Sequence, residues 1–465
     1  MDMSLAQAAA ALAAGSVSSL ELVDAALARA GAVNPHLNAF LRLDADSARA
    51  QARAADAERA RGHRRGPLHG VPMAHKDMFF RAGVASSCGT HVKLPLPTTT
   101  ATVLSRLDAA GAVQFGVLNM AAFAVGPTGH NAAVGHCRNP WNTERITGGS
   151  SSGSGASVAA RATFAALGSD TAGSIRIPAA LCGITGLKPT QGRVSRAGAM
   201  PFSFTLDTIG PLARSAYDCA MMMNAIAGPD AADATTAQVD IPNYLRRIDQ
   251  PAQGLRVGVP MNYFTGGIAP EVDRVLQDSL SALRDLGCMI VPLDIPDLAA
   301  ADAAAGMIIS CEGAALHATL MQEQGELYGT QMKARLERGF AIPAPRYLDA
   351  VRYRDVAAVQ FIDTVFSKVD VLHTPLIPIN TPEIATSDVA SGAAMDTLIT
   401  QLTRFTRPFN YLGLPALALP VGCAGDGMPL SMQLVGRPFS EDLLLRIGHA
   451  FQSATDWHLR SPPVA

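Results

Sequence analysis

The stretch GGSSSGSGASVAARATFAALGSDTAGSIRIPAALCGITGLKPT, Gly148 to Thr190, joins two Gly- and Ser-containing loops to apolar helix and strand patterns. Gly148–Gly155 opens a small-residue helix, and TFAALGSD at 163–170 reads as a strand leaving into a second loop. Glycines allow close backbone approach, and serines supply short hydroxyls that pass protons. A flexible linker is one reading of GGSSSGSG, but SVAARATFAALG continues without a break into helix and strand. A phosphate-binding loop would need a GK[ST] ending, which is absent. The loop Gly168–Gly183 leaves a strand end, where α/β proteins commonly place reacting groups. Backbone N–H groups at Thr171, Ala172, Gly173 and Ser174 would suit an oxyanion hole there; a tight turn whose serine caps the next element suits the segment equally.

Outward from this stretch, helix and strand patterns interleave. Two helices are expected over 4–30, with Ser4 capping the first and Ser18 or Ser19, with Glu21, capping the second. A further helix is expected over about 45–61 and a helix–strand unit over 101–118. After about 250 come the strand LRVGVP, a helix from Pro270 to Gly287, the strand CMIVPLDI and long helices at about 301–323 and 346–367. The apolar VDVLHTPLIP follows, then two strands around a GDG turn and a final helix. The class is α/β with a mixed sheet. With no repeat and no long linker, residues 1–465 read as one folding unit: an N-terminal helical segment (1–65), a core (66–215) and a remainder of sheet and helices (216–465).

Lys76 sits between Met73 and the pair Phe79, Phe80. Held among apolar groups, a lysine loses the solvation that favours its charged form and becomes a usable base. A surface lysine, or one paired with Asp77, is the competing reading, since most lysines reach water. No G-x-S-x-G elbow surrounds Ser174, so a Ser-His-Asp scheme lacks support, whereas a Ser-Lys scheme needs no histidine.

Composition narrows the classes. Of 465 residues, 37 are basic and 39 acidic, a formal net charge of −2, so no basic excess exists to neutralise a phosphate backbone. The cluster Arg59, Arg61, Arg64, Arg65 reads as a solvated helix end. Seven cysteines without a CxxC pair argue against a disulfide framework or zinc ribbon, and the eleven histidines show no HExxH-type spacing. The sequence offers no signal-peptide pattern and no run of about 18 apolar residues, so a cytoplasmic setting away from membranes is expected.

The run from Gly148 to Thr190 resembles the amidase signature of the amidase-signature hydrolases, and GPLHGVPMAHKDMF resembles that family's lysine motif. The resemblance extends to NPHLNAF, GRVSRAGAMPFSFTLDTIGPLARS, YLGLPALALPVG and SMQLVGRPFSEDLLL. It implies a mixed sheet of about eleven strands covered by helices on both faces, amide C–N hydrolysis through an acyl-enzyme, and neither metal nor organic cofactor. It places the base on Lys76, the bridging serine on Ser150 and the nucleophile on Ser174. The oxyanion hole falls on the backbone from Thr171 through Ala172 and Gly173 to Ser174, with Asp170 and Arg176 as struts of the loop. The chain departs from the pattern at Ala172 and Ser152, where glycine is common, at His75, and at Ala121 and Ala122. SCEGAALHATLMQEQGELYG and RYLDAVRYRD resemble free-standing bacterial amidases. The leading expectation is therefore an enzyme acting alone or as a homodimer on a small-molecule amide, with no nucleic-acid or membrane partner. The alternative is the glutaminase subunit of a tRNA-dependent amidotransferase. Pocket walls are expected from 123–130, 311–320 and 340–352, with Phe123, Phe340, Tyr347 and Tyr353 as candidate aromatic lining.

Overall fold

The computed structural model describes residues 2–389 and 391–464. Capping starts the first two helices where the sequence expects them, and the second runs past the expected end at 30 to Leu37. Ser4 closes a capping box with Gln7 at the start of Leu5–Ala14, and Ser18 closes one with Glu21 at the start of Ser19–Leu37.

Eleven strands form one sheet: β1 (Phe40–Leu43), β2 (Pro72–Lys76), β3 (Val113–Leu118), β4 (Ala165–Asp170), β5 (Thr185–Lys188), β6 (Thr208–Ala213), β7 (Arg256–Pro260), β8 (Met289–Leu293), β9 (Val371–Pro375), β10 (Ala416–Cys423) and β11 (Pro429–Gly436). Their order is β1-β3-β2-β4-β6-β5-β10-β11-β9-β7-β8. The sheet is mixed. β2 runs parallel to β3 and β4, and β7 parallel to β8 and β9, while β4–β6, β6–β5, β5–β10, β10–β11 and β11–β9 are antiparallel. The α/β class and the strand count implied by the family resemblance are both present.

Helices cover both faces because the inner strands bury both. Along β4, Ala165 and Leu167 join one buried cluster and Ala166 the other; along β2, Met73 and Ala74 divide the same way. The parallel β2–β4 register, Ala74 opposite Ala166 and His75 opposite Leu167, brings the end of β2 at Lys76 beside the end of β4 at Ser169 and Asp170. The sequence predicts β4 but neither β5 nor β6, which close the sheet behind it.

The helix Ala299–Gln324 and its short extension to Leu327 are long and apolar enough, by length and composition, to cross a bilayer. No unbroken apolar run marks it in the sequence, because Ser310, Glu312 and His317 interrupt it. In this structure it packs against Thr330–Phe340, Ala344–Phe366 and Arg407–Tyr411.

The helix Ser152–Ala159 is built of small residues because the space demands it. A Cβ added at Gly153 would stand 2.4 Å from the Ala39 carbonyl oxygen and 2.6 Å from the Asn119 nitrogen. At Gly31, an exposed position in Ser19–Leu37, an added Cβ would meet nothing within 4 Å. Gly31→Ala is therefore expected to stabilise the protein by about 0.5–1 kcal/mol. Gly153→Ala is expected to destabilise it by about 1–3 kcal/mol. Chemical denaturation of the two variants reads the opposite signs.

Candidate active site

The ends of β2 and β4 and the loops following them build a polar centre inside the apolar core. Lys76, at the last position of β2, is fully buried. Its Nζ lies 2.7 Å from Ser150 Oγ and 2.8 Å from Ser169 Oγ. Burial brings its pKa down to about 7, against the opposing pull of the Asp207 and Asp170 carboxylates. The competing pairing with Asp77 is absent: that carboxylate accepts from Ser86, Ser87 and the Gly89 N–H instead.

The serine loop is fixed by its neighbours. The Gly149–Ser150 peptide is cis. Ser150's carbonyl accepts from the Ala121 N–H at 3.1 Å, Ser151 exchanges hydrogen bonds with the Ser169 backbone at 3.3 Å, and Ser154 Oγ donates to the Leu167 carbonyl at 3.0 Å. Ser174's own carbonyl accepts from the Ser151 N–H at 3.3 Å, which ties the second loop to the first.

Asp170 organises that second loop. It accepts from the backbone N–H groups of Gly173 at 2.7 Å, Ile175 at 3.2 Å and Arg176 at 3.4 Å, and from Arg176 Nε and Nη2 at 3.0 Å each. Both side chains of this ion pair are fully buried. Burial works to raise the Asp170 pKa, but the Arg176 charge and hydrogen bonds, with Lys188 and Asn410, outweigh it and bring it down to about 2. Arg176 spends its remaining donors on Gln433, the Thr406 carbonyl and Asn410. Of the four backbone donors expected to face an oxyanion, Gly173's is thus committed to Asp170. Among the described residues, no protein acceptor meets the N–H groups of Thr171, Ala172 or Ser174. Thr171 Oγ1 donates to Asp207 at 2.5 Å, and Thr406 Oγ1 to the Ala172 carbonyl at 2.5 Å.

Ser174, Thr171 and Ala172 line a cleft of about 270 Å³. Its walls come from Ala124, Gly126 and Pro127, from Gly306, Ile309 and Ser310, and from the helix Ala393–Thr403. The first wall lies in an expected segment; the second begins before the expected 311–320, and nothing from 340–352 contributes. The four candidate aromatics lie elsewhere. Phe123 packs on His317 and Tyr328, Phe340 is exposed, Tyr347 donates to Glu312, and Tyr353 is exposed beside Tyr411. The helix Ala299–Gln324 turns its Gly306–Ser310 stretch to the cleft instead, and the rim is cationic. Arg407 pairs with Asp302 and Arg338 with Asp396. Arg335, half-buried in the same wall, meets no carboxylate or carbonyl among the described residues. Burial and the neighbouring Arg407 and Arg338 charges lower its pKa to about 10. His75 lies outside this cleft: its Nδ1 stands 3.1 Å from Gln114 Oε1, and it borders a separate cavity with Asp77 and Arg81.

Sequence reasoning missed Ser169, Asp207, Arg335, Thr406, Asn410 and Gln433. Asn410 and Gln433 did carry a signal, as polar residues beside or inside the apolar runs YLGLPALALP and SMQLVG.

The profile of the amidase family matches residues 21–445. The chain belongs to the amidase family. It is 41% identical, over its whole length and 98% of the relative's, to the A-type subunit of glutamyl-tRNA(Gln) amidotransferase from Roseiflexus castenholzii. Among solved structures it resembles the inhibitor-bound vestigial protein complex of an s-triazine catabolic enzyme, with a TM-score of 0.90 and 36% identity over 97% of this chain and 98% of that one. It also resembles the A-type subunit of the same amidotransferase from Thermotoga maritima, with a TM-score of 0.77 and 29% identity over 94% and 91% of the two chains. As in the rest of this family, the chemistry is that of an enzyme acting on amide C–N bonds.

These relatives correct one expectation. A free-standing enzyme or homodimer confined to small molecules, with no nucleic acid in its reaction, does not accord with end-to-end relatives named as one subunit of an enzyme of glutamyl-tRNA(Gln). The charge balance behind that expectation speaks only to direct contact with a phosphate backbone. A polypeptide that supplies one chemical step need not touch the RNA itself.

Removing one partner of a buried ion pair strands the other charge, a cost of about 3–5 kcal/mol. Arg176→Leu is expected to lose that much stability in denaturant unfolding. Arg176→Lys should recover only part of it, since one ammonium cannot reach Asp170, Gln433, Asn410 and the Thr406 carbonyl together.

Proposed function

We propose that this chain is the amide-hydrolysing subunit of an amidotransferase, releasing ammonia from a carboxylate-bearing amide donor, glutamine in the first place. The carrying observation is Lys76 Nζ, buried and 2.7 Å from Ser150 Oγ, in the same loop assembly that presents Ser174 to a cleft. The curated relatives supply the assembly and the acceptor, glutamyl-tRNA(Gln). Arg335, without a partner in the cleft wall, supplies a cation for the donor's carboxylate. Such a role belongs in the cytoplasm, with the machinery that charges tRNA.

In this reading neutral Lys76 takes the Ser150 proton while Ser150 takes that of Ser174. Ser174 Oγ attacks the side-chain carbonyl, and the N–H groups of Thr171, Ala172 and Ser174 receive the oxyanion, with Asp170 and Arg176 holding their path. The proton returns through Ser150 to the leaving nitrogen, which departs as ammonia. Water then cleaves the ester on Ser174 and gives glutamate, so glutamine plus water yields glutamate plus ammonia. Losing one oxyanion donor costs about 3–4 kcal/mol of transition-state stabilisation, which is why a loop fixed by so many bonds matters.

A neutral base sets the pH dependence. Lys76 is protonated and inactive below its pKa of about 7 and competent above it, so the rate of glutamine hydrolysis is expected to rise with pH through about 7 and then level. Ser174→Ala should lower it by on the order of 10⁴- to 10⁶-fold. Loss of a charge-assisted hydrogen bond is worth about 1.5–3 kcal/mol, so Arg335→Ala should raise the glutamine KM by about ten- to a hundredfold with kcat less affected. Membership of an amidotransferase is tested by co-expression with candidate partner proteins, followed by measurement of ammonia transfer to glutamyl-tRNA. Partner-dependent transfer supports it; hydrolysis of neutral amides by the chain alone, with no response to glutamine or partners, would overturn it.

A further inference from the structure

The cleft wall at Gly126 and Pro127 runs on through His130 and Asn131 to His136, where it meets Ser387 and Asp388 ahead of the helix Ala393–Thr403. There one ligand atom from each of His130, His136 and Asp388 lies within 4.8 Å of the others. The two rings are 4.7 Å apart and nearly perpendicular. His136 Nε2 stands 3.5 Å from Asp388 Oδ2. His130 Nε2 stands 2.9 Å from Ser387 Oγ, and that hydroxyl also faces the carbonyls of Glu383 and Ile384. The hydroxyl gives its proton to a carbonyl, so it accepts from His130 Nε2–H. The lone pair of His130 is therefore on Nδ1, which is buried and has no hydrogen-bond partner. A buried acceptor without a donor is costly, and the His130 side chain that carries it lines, with His136 and Asp388, a cavity of about 270 Å³.

We propose that His130 Nδ1, His136 Nε2 and the Asp388 carboxylate bind one divalent transition-metal ion of the zinc, nickel or copper class. Two imidazoles and one carboxylate suit such cations, whereas magnesium and calcium prefer all-oxygen sites. Ligand atoms about 2.0–2.1 Å from a tetrahedral metal stand about 3.3 Å apart. The His136–Asp388 pair is already near that separation, and His130 closes the remaining gap. One cost is visible. His136 Nδ1 accepts the Asn131 N–H at 2.9 Å, and coordination through Nε2 moves the ring proton to Nδ1, so the ring must turn off that bond. That cost favours metals with strong imidazole affinity. The sequence carries no ligand motif for it because Asp388 comes from a distant segment.

The site would couple to the cleft. It ties the loop bearing Gly126 and Pro127 to the segment leading into Ala393–Thr403, whose Asp396, Thr400 and Thr403 line the cleft. A bound ion thus fixes two walls relative to one another.

The test is titration of the chelator-treated full-length protein with Co²⁺ by absorbance and with Zn²⁺ by calorimetry. One equivalent should bind with micromolar affinity and show cobalt d–d bands without a thiolate charge-transfer band. His130→Asn and Asp388→Asn should each weaken binding by about tenfold or more, with thermal unfolding of the metal-free Asp388→Asn protein unchanged. If His130→Asn fails to fold, exposed Asp388→Asn carries the test. Binding only at millimolar metal, binding unchanged in the variants, or a thiolate band pointing to Cys311 or Cys423 would each overturn the proposal.

Discussion

A lysine side chain withdrawn from water is the constraint on which this structure turns. Among the described residues no carboxylate pairs directly with Lys76: its hydrogen-bond partners are two hydroxyls, and the charges of Asp207 and Asp170 favour the ammonium without overcoming burial. Each unit of pKa depression corresponds to about 1.4 kcal/mol of disfavour for the charged form. The fold accepts that cost because β2 lies between β3 and β4, so the end of the strand cannot reach solvent without breaking the centre of the sheet. Basicity near neutral pH is thus a consequence of topology.

Beside this relieved charge lies a retained one. Asp170 and Arg176 are as deeply buried as Lys76, yet the carboxylate stays ionised because the guanidinium and the loop backbone satisfy it at once. The carboxylate gathers three backbone N–H groups, which bends the loop so that the N–H groups of Thr171, Ala172 and Ser174 are left unspent. The arginine carries the same order outward to β11 through Gln433 and to the segment around Thr406 and Asn410. The Ser174 loop is therefore held by the far half of the sheet, and chain segments more than two hundred positions apart share one polar network.

What the sequence discloses follows from how local each feature is. The capped helices are legible because Ser4 with Gln7 and Ser18 with Glu21 act over three residues. Ser150 and Ser174 stand out because their glycine- and serine-containing surroundings are odd for structural roles, and Lys76 because it lies among apolar residues. β6 is hidden because Gly210 and Pro211 interrupt its pattern; the ladder to β5 covers only Leu212 and Ala213, so the missing Pro211 N–H falls outside it. The cleft wall differs from the expected one because helical rotation, which a sequence does not fix, decides that Gly306–Ser310 rather than 311–320 faces Ser174. Arg335 is silent in sequence, since its meaning is the absence of a partner in space.

The proposed relay needs a base that is uncharged before substrate arrives. The direct measurement is the titration of the Lys76 amine itself, by NMR of protein carrying labelled lysine and assigned with the Lys76→Arg variant. A midpoint near 7 is expected. A Lys76 amine that stays protonated to about pH 10, as an ordinary solvated lysine does, would contradict it.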